Sequence, residues 1–84
     1  MKYVVYILYS EELDRFYVGH TGDAMEERLR KHLSNHSGFT ATAKDWILKY
    51  SEEYLSKKEA YARELAIKRK KSKKFIQNLI NSVG

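Results

Sequence analysis

No cysteine occurs among the 84 residues, which excludes disulfide staples, thiolate metal cages and a cysteine nucleophile, and fits a reducing compartment. Proline is absent as well, so no Pro-marked linker divides the chain. Only four glycines are present, and they form no phosphate-cradling loop; His/Cys zinc spacing and a serine nucleophile elbow are missing too. The longest apolar run, residues 3–9, covers seven positions, against roughly 20 needed to cross a bilayer as a helix. No small-residue cleavage site follows Met1 and Lys2, so neither membrane span nor signal peptide is expected, and the expected location is cytoplasmic. A chain of this length suits one domain, residues 1–84, with a thin core and no deep enclosed cavity.

Sixteen Lys and Arg stand against eleven Asp and Glu, a net charge of +5. The excess is concentrated. Residues 57–74 hold nine basic and two acidic side chains, whereas the remainder of the chain is slightly acidic. One positive face is therefore expected, and its natural partner is a polyanion, nucleic acid before membrane.

Residues 3–9 are β-branched and aromatic almost throughout, which predicts a strand covered on both faces and central in its sheet. A polar stretch containing Asp14 separates it from residues 16–19, so the two read as a hairpin. Gly19 ends the second strand and removes a side chain where backbone or ligand must approach closely. Asp23 and Glu26 resemble a capping box, and Met25, Leu29 and Leu33 follow at helical spacing, predicting a helix to about Asn35. Residues 35–44, with Gly38, read as a loop, and residues 46–54 as a third strand. Ser56 and Glu59 form a second capping box, with Leu55 placed to staple onto Ala60, before a helix over 60–71. Ser72 caps a last helix whose Ile76, Leu79, Ile80 and Val83 share one face. The order β-β-α-β-α-α defines an α+β fold with a three-stranded antiparallel sheet flanked by helices.

Several side chains carry possible chemistry. Tyr6 and Tyr17 fall on neighbouring strands, where pairing can bring two phenols to one face; packing tyrosines are the bland alternative. Arg28 and His32, four residues apart, act on one side of their helix, as a fork for phosphate and a proton carrier or as a solvated pair. Glu64 is one of two acids in the basic segment and lies near the buried side of its helix. Its cation is either Lys68 one turn on or a Mg²⁺ that keeps most of its waters. Lys68, Arg69, Lys70, Lys71, Lys73 and Lys74 engage phosphates without reading bases, or form a solvated surface or localisation tag.

Val4, Val5 and Tyr6 resemble a first motif and Tyr17, Val18 and Gly19 a second, ten residues apart, with Arg28, His32 and Glu64 following in order. This set resembles the GIY-YIG nuclease superfamily, in particular its small stand-alone bacterial members related to the N-terminal domain of the excision-repair incision subunit, and so points toward DNA repair. The resemblance implies a three-stranded antiparallel sheet flanked by helices. It also implies Tyr6 as general base, Tyr17 assisting, Arg28 on the phosphate, His32 hydrogen-bonding near the nucleophile, and Glu64 holding one Mg²⁺ or Mn²⁺. A phenol of pKa near 10 needs the metal-bound water or a positive neighbour such as Arg28 to serve as a base at neutral pH. The sequence departs from the family in having Val4 for a glycine and Val18 for an isoleucine. The asparagine expected after the glutamate has no clean match, with Ile76 and Gln77 near its place and Asn78 just beyond. His20, where some relatives have lysine, is left without a role.

The expected function is metal-dependent endonucleolytic hydrolysis of DNA, structure-directed or weakly specific because few side chains are available for base readout. A partner protein for targeting is compatible with so small a chain. The alternative is a non-catalytic nucleic-acid-binding domain with the same fold, favoured by the missing asparagine. A lipid-surface anchor lacks the broad apolar face it would need.

Overall fold

The computed structural model describes residues 2–34 and 43–82. The predicted loop over 35–44, with Gly38, and Val83 fall largely or wholly outside them. Six elements follow in the expected order: β1 (Tyr3–Ser10), β2 (Arg15–Thr21), α1 (Met25–Ser34), β3 (Ile47–Tyr54), α2 (Lys57–Arg69) and α3 (Lys73–Asn81). The sheet is antiparallel with strand order β2-β1-β3. The apolar first strand is therefore central, as its near-continuous hydrophobicity requires.

The hairpin turn is closed by Asp14, whose left-handed backbone (φ 51°) suits an aspartate. Tyr9 Oη donates to the Asp14 carboxylate at 2.7 Å, holding the turn against the strand. Pairing runs from Val4 opposite Thr21 to Ser10 opposite Arg15. On the other side, a register shift between Ile7 and Leu8 interrupts the β1–β3 ladder.

Alternation along β1 separates two layers. Val5, Ile7 and Val18 face Ala60 and Ile67 of α2, with Phe75, Ile76, Leu79 and Ile80 of α3 against them. Tyr6 and Leu8 face the other way, onto Ala43, Trp46 and the half-buried Met25, Leu29 and Leu33. Burying one such aliphatic side chain contributes about 1.5–3 kcal/mol, and the fully buried ones belong mostly to β1. Among the described residues no buried side-chain polar atom lacks a partner.

The helix starts divide into two kinds. Ser56 caps α2 by accepting from Glu59 N–H, and Ser72 caps α3 by accepting from Phe75 N–H. In α1 the Ala24 carbonyl accepts from Arg28 N–H, so the helix begins one residue beyond the expected box, and Asp23 pairs with Lys31 instead. Leu55 does not staple: it is 80% exposed, while the Ala60 it was expected to cover is buried by the sheet.

Candidate active site

The centre of the site is the Tyr6 hydroxyl. Strand β1 sends Tyr6 to the α1 side, and its opposite number on β2 is Gly19. A Cβ on Gly19 would lie 2.6 Å from Tyr6 Oη and 2.8 Å from Cζ, inside contact distance, so only glycine lets the phenol lie flat across the strand. Tyr17, diagonal to Tyr6 across the pair, shares this face, with ring centroids 6.4 Å apart.

Helix α1 contributes the next two groups. His32 Nε2 is 2.7 Å from Tyr6 Oη, and Arg28 Nε donates to the same oxygen at 3.1 Å. Because guanidinium can only donate, the phenol's own proton points to His32, whose Nε2 accepts as the Nδ1–H tautomer. Burial, and then the Arg28 charge, lowers the His32 pKa, which keeps the imidazole neutral and able to accept. The Tyr6 pKa is raised, since burial outweighs the hydrogen bond and charge of Arg28 that lower it. Tyr6 is therefore a neutral link between Arg28 and His32 rather than a standing phenolate. The leucine stripe of α1 is only half-buried, and His32 is the buried residue of that helix, a depth that i,i+4 spacing does not reveal.

Glu64 arrives from the other side of the sheet. It is 7% exposed on α2, and both carboxylate oxygens are occupied: His20 Nδ1 lies 2.6 Å from Oε1 and Lys68 Nζ 2.7 Å from Oε2. The two halves meet around β2, one of the two edge strands. Lys68 Nζ stands 6.0 Å from the centroid of the Tyr17 ring, and the Glu64 charge is among the influences raising the Tyr6 pKa. His20 is the group that sequence reasoning left without a role. Strand alternation assigns it to the Val18 face; what spacing does not contain is the docking of α2 that sets a carboxylate opposite it.

The basic residues divide. Lys68 reaches Glu64, whereas Arg69, Lys70, Lys71, Lys73 and Lys74 are exposed around the α2–α3 turn. Lys70 lies over the Phe75 ring at 5.5 Å and Lys73 pairs with Asp14 at 2.5 Å. Asn78, just beyond the place of the missing asparagine, is exposed on α3, the helix that packs on the face opposite Tyr6.

A metal ion would find one carboxylate here. Among the described residues no group of three or more His, Cys, Asp and Glu gathers to hold one. A hydrated Mg²⁺ keeps several waters and accepts one or two carboxylates, so Glu64 fits that ion. The condition is that Lys68, nearly half exposed, withdraws from Oε2.

A phenol, a guanidinium, an imidazole and a buried carboxylate thus gather around the β2 edge of the sheet. Residues 2–79 match the family described as GIY-YIG catalytic domain, so the chain belongs to the GIY-YIG family and has its nuclease-type fold; nucleases of this family act on nucleic acid. Among solved structures it is similar to the UPF0213 protein BH0048 from Bacillus halodurans, determined by solution NMR. Identity is 28%, the TM-score 0.60, and the match covers 96% of this chain and 84% of that one. No curated protein matches the sequence. Among the described residues no helix is long and apolar enough to cross a membrane.

Proposed function

We propose that the chain is a divalent-metal-dependent endonuclease that hydrolyses phosphodiester bonds in DNA, structure-directed or weakly specific in its choice of site. The observation that carries this reading is the Tyr6 hydroxyl held at once by Arg28 and His32, with Tyr17 beside it. Tyr6 is entirely buried, so it becomes accessible when Arg28 turns from Oη to a bound phosphate and engages it through its fork. That exchange partly neutralises the guanidinium and so relieves the charge that depresses His32. Tyr6 Oη then takes a proton from the attacking water as its own proton passes to His32 Nε2, leaving a neutral phenol and an imidazolium. Tyr17 packs edge-on against the His32 ring, centroids 5.0 Å apart, and keeps it aligned. Glu64 would hold one Mg²⁺ or Mn²⁺, which when bound supplies neutralisation of phosphate and leaving-group oxygens. The exposed lysines of the α2–α3 turn contact backbone phosphates. Work in the cytoplasm, in DNA repair and with a targeting protein accords with this chemistry.

A second reading, a nucleic-acid-binding domain without turnover, is favoured by the lysine already neutralising Glu64 and by the position of Asn78. Branched, nicked and single-stranded DNA incubated with Mg²⁺ or Mn²⁺ separates the two. Cleavage by the wild type, abolished in Glu64→Ala and Tyr6→Phe while DNA binding persists, is the expected result. Binding without any wild-type cleavage selects the second reading.

A further inference from the structure

A second concave surface begins where the candidate site ends. Edge strand β2 and the α2–α3 turn border an open cleft of about 690 Å³, within the size range of ligand sites, roughly 300–1,000 Å³. Phe16, Ile67 and Ile76 give it an apolar surface, and Arg15, Lys71 and Lys73 stand around it. Tyr17 and Lys68 line the cleft and also belong to the candidate site, so the two are continuous.

Charge, surface chemistry and backbone conformation together define the ligand. Asp14 is the acid lining the cleft, and Lys73 already pairs with it at 2.5 Å, which leaves Arg15 and Lys71 exposed to attract phosphates. Phe16, on the α2 side of β2 and backed by the Tyr9 ring at 4.8 Å, and Tyr17, on the α1 side, put an aromatic group on either side of the strand edge, and bases stack on such groups. Strand β2 is at the sheet edge, so its outer side offers backbone donors and acceptors. Lys71 has a left-handed backbone, φ 45°, just past the end of α2, where glycine is the common occupant. Lysine is strained in a conformation that favours glycine, and this one is exposed in the lining of the cleft.

We propose that this cleft holds unpaired nucleotides of the polynucleotide strand whose phosphate lies at Tyr6, Arg28 and Glu64; the inference rests on the nuclease reading above. Paired bases are stacked on their neighbours and have no free face for Phe16 or Tyr17. Frayed, flapped or single-stranded segments do, and the cleft selects them.

Fluorescence anisotropy in EDTA, where cleavage does not intervene, tests the cleft with an oligodeoxythymidine about twelve nucleotides long and with a duplex of equal length. The single strand is expected to bind about tenfold more tightly than the duplex. Lys71→Gly removes the ammonium and relieves the backbone, so thermal stability rises by a few degrees while single-strand affinity falls about fivefold. Unfolding cannot produce that opposed pair of changes. The same oligonucleotide carrying 5-iododeoxyuridine should photocrosslink to Phe16 or Tyr17, as mapped by peptide mass spectrometry. Equal affinity for single strand and duplex, or unchanged single-strand binding in Lys71→Gly, overturns the proposal. The two readings fail separately. Crosslinking at Phe16 without metal-dependent cleavage keeps the cleft and removes the nuclease, whereas cleavage of DNA by a wild type with no single-strand preference does the reverse.

Discussion

The two faces of the sheet are built from the same three strands and put to different uses. Beneath α2 and α3, Val5, Ile7 and Val18 meet Ala60 and Ile67 in ordinary aliphatic packing. On the β3 side of this face, Glu52 is satisfied by the Tyr50 and Tyr54 hydroxyls and by Arg63, whose Nε lies 3.0 Å from Oε1. Beneath α1, the same strands present Tyr6, Leu8, Tyr17 and Gly19, and the helix answers with Arg28 and His32. One face uses its helices mainly for burial and carries Glu64, held by His20 and Lys68, at its β2 edge; the other buries a hydrogen-bonded chain of groups that can pass a proton. The difference follows from single positions, above all the glycine that gives a phenol room to lie across a strand.

Substitutions on each face should therefore separate function from stability. Tyr6→Phe keeps the ring and removes the linking oxygen; single-turnover cleavage is expected to fall about a thousandfold, with the melting temperature changed far less. Ile7→Ala, one residue away on the opposite face, should cost about 2–5 kcal/mol in denaturant unfolding and lower activity only through the unfolded fraction. Gly19→Ala falls between: displacing the Tyr6 ring should cost about 1–3 kcal/mol and also reduce cleavage by the folded protein. Equal loss of stability in Tyr6→Phe and Ile7→Ala would erase the distinction between the faces.

The smallest effects lie in the pH dependence of stability, and they sort by face. The folded pKa of His32 is depressed by burial and Arg28. The unfolded chain thus binds a proton first, and stability declines as pH falls from about 6.5 toward the folded value. His32→Gln should flatten that window. For Glu52 burial acts upward, but Arg63, Tyr50 and Tyr54 outweigh it and the pKa is lowered. Its contribution is full above the unfolded value of about 4.5 and is lost as pH falls through the folded one. Glu52→Gln should flatten only this more acidic window, which thermal melts across the range will show.

The order of elements was legible because the apolar run of β1 and the serine caps of α2 and α3 are local signals, written in adjacent residues. The interruption of the β1–β3 ladder at Ile7 and Leu8 and the exposure of Leu55 were not, since both depend on how elements seat against one another. The same division holds at the site. Tyr6, Tyr17, Arg28, His32 and Glu64 were identifiable as a set through a family resemblance. The depth of His32 and the hold of His20 and Lys68 on Glu64 required the packing of α1 and α2.

The chain contains a single tryptophan, and Trp46 is buried with its ring centroid 6.4 Å from that of Tyr17. Its intrinsic emission is thus a label-free optical reporter placed by nature at the wall of the site. Excited selectively, it should register ligand arrival and local rearrangement in the unmodified molecule, and with no thiols to interfere, a cysteine introduced elsewhere would accept a dye at one defined position.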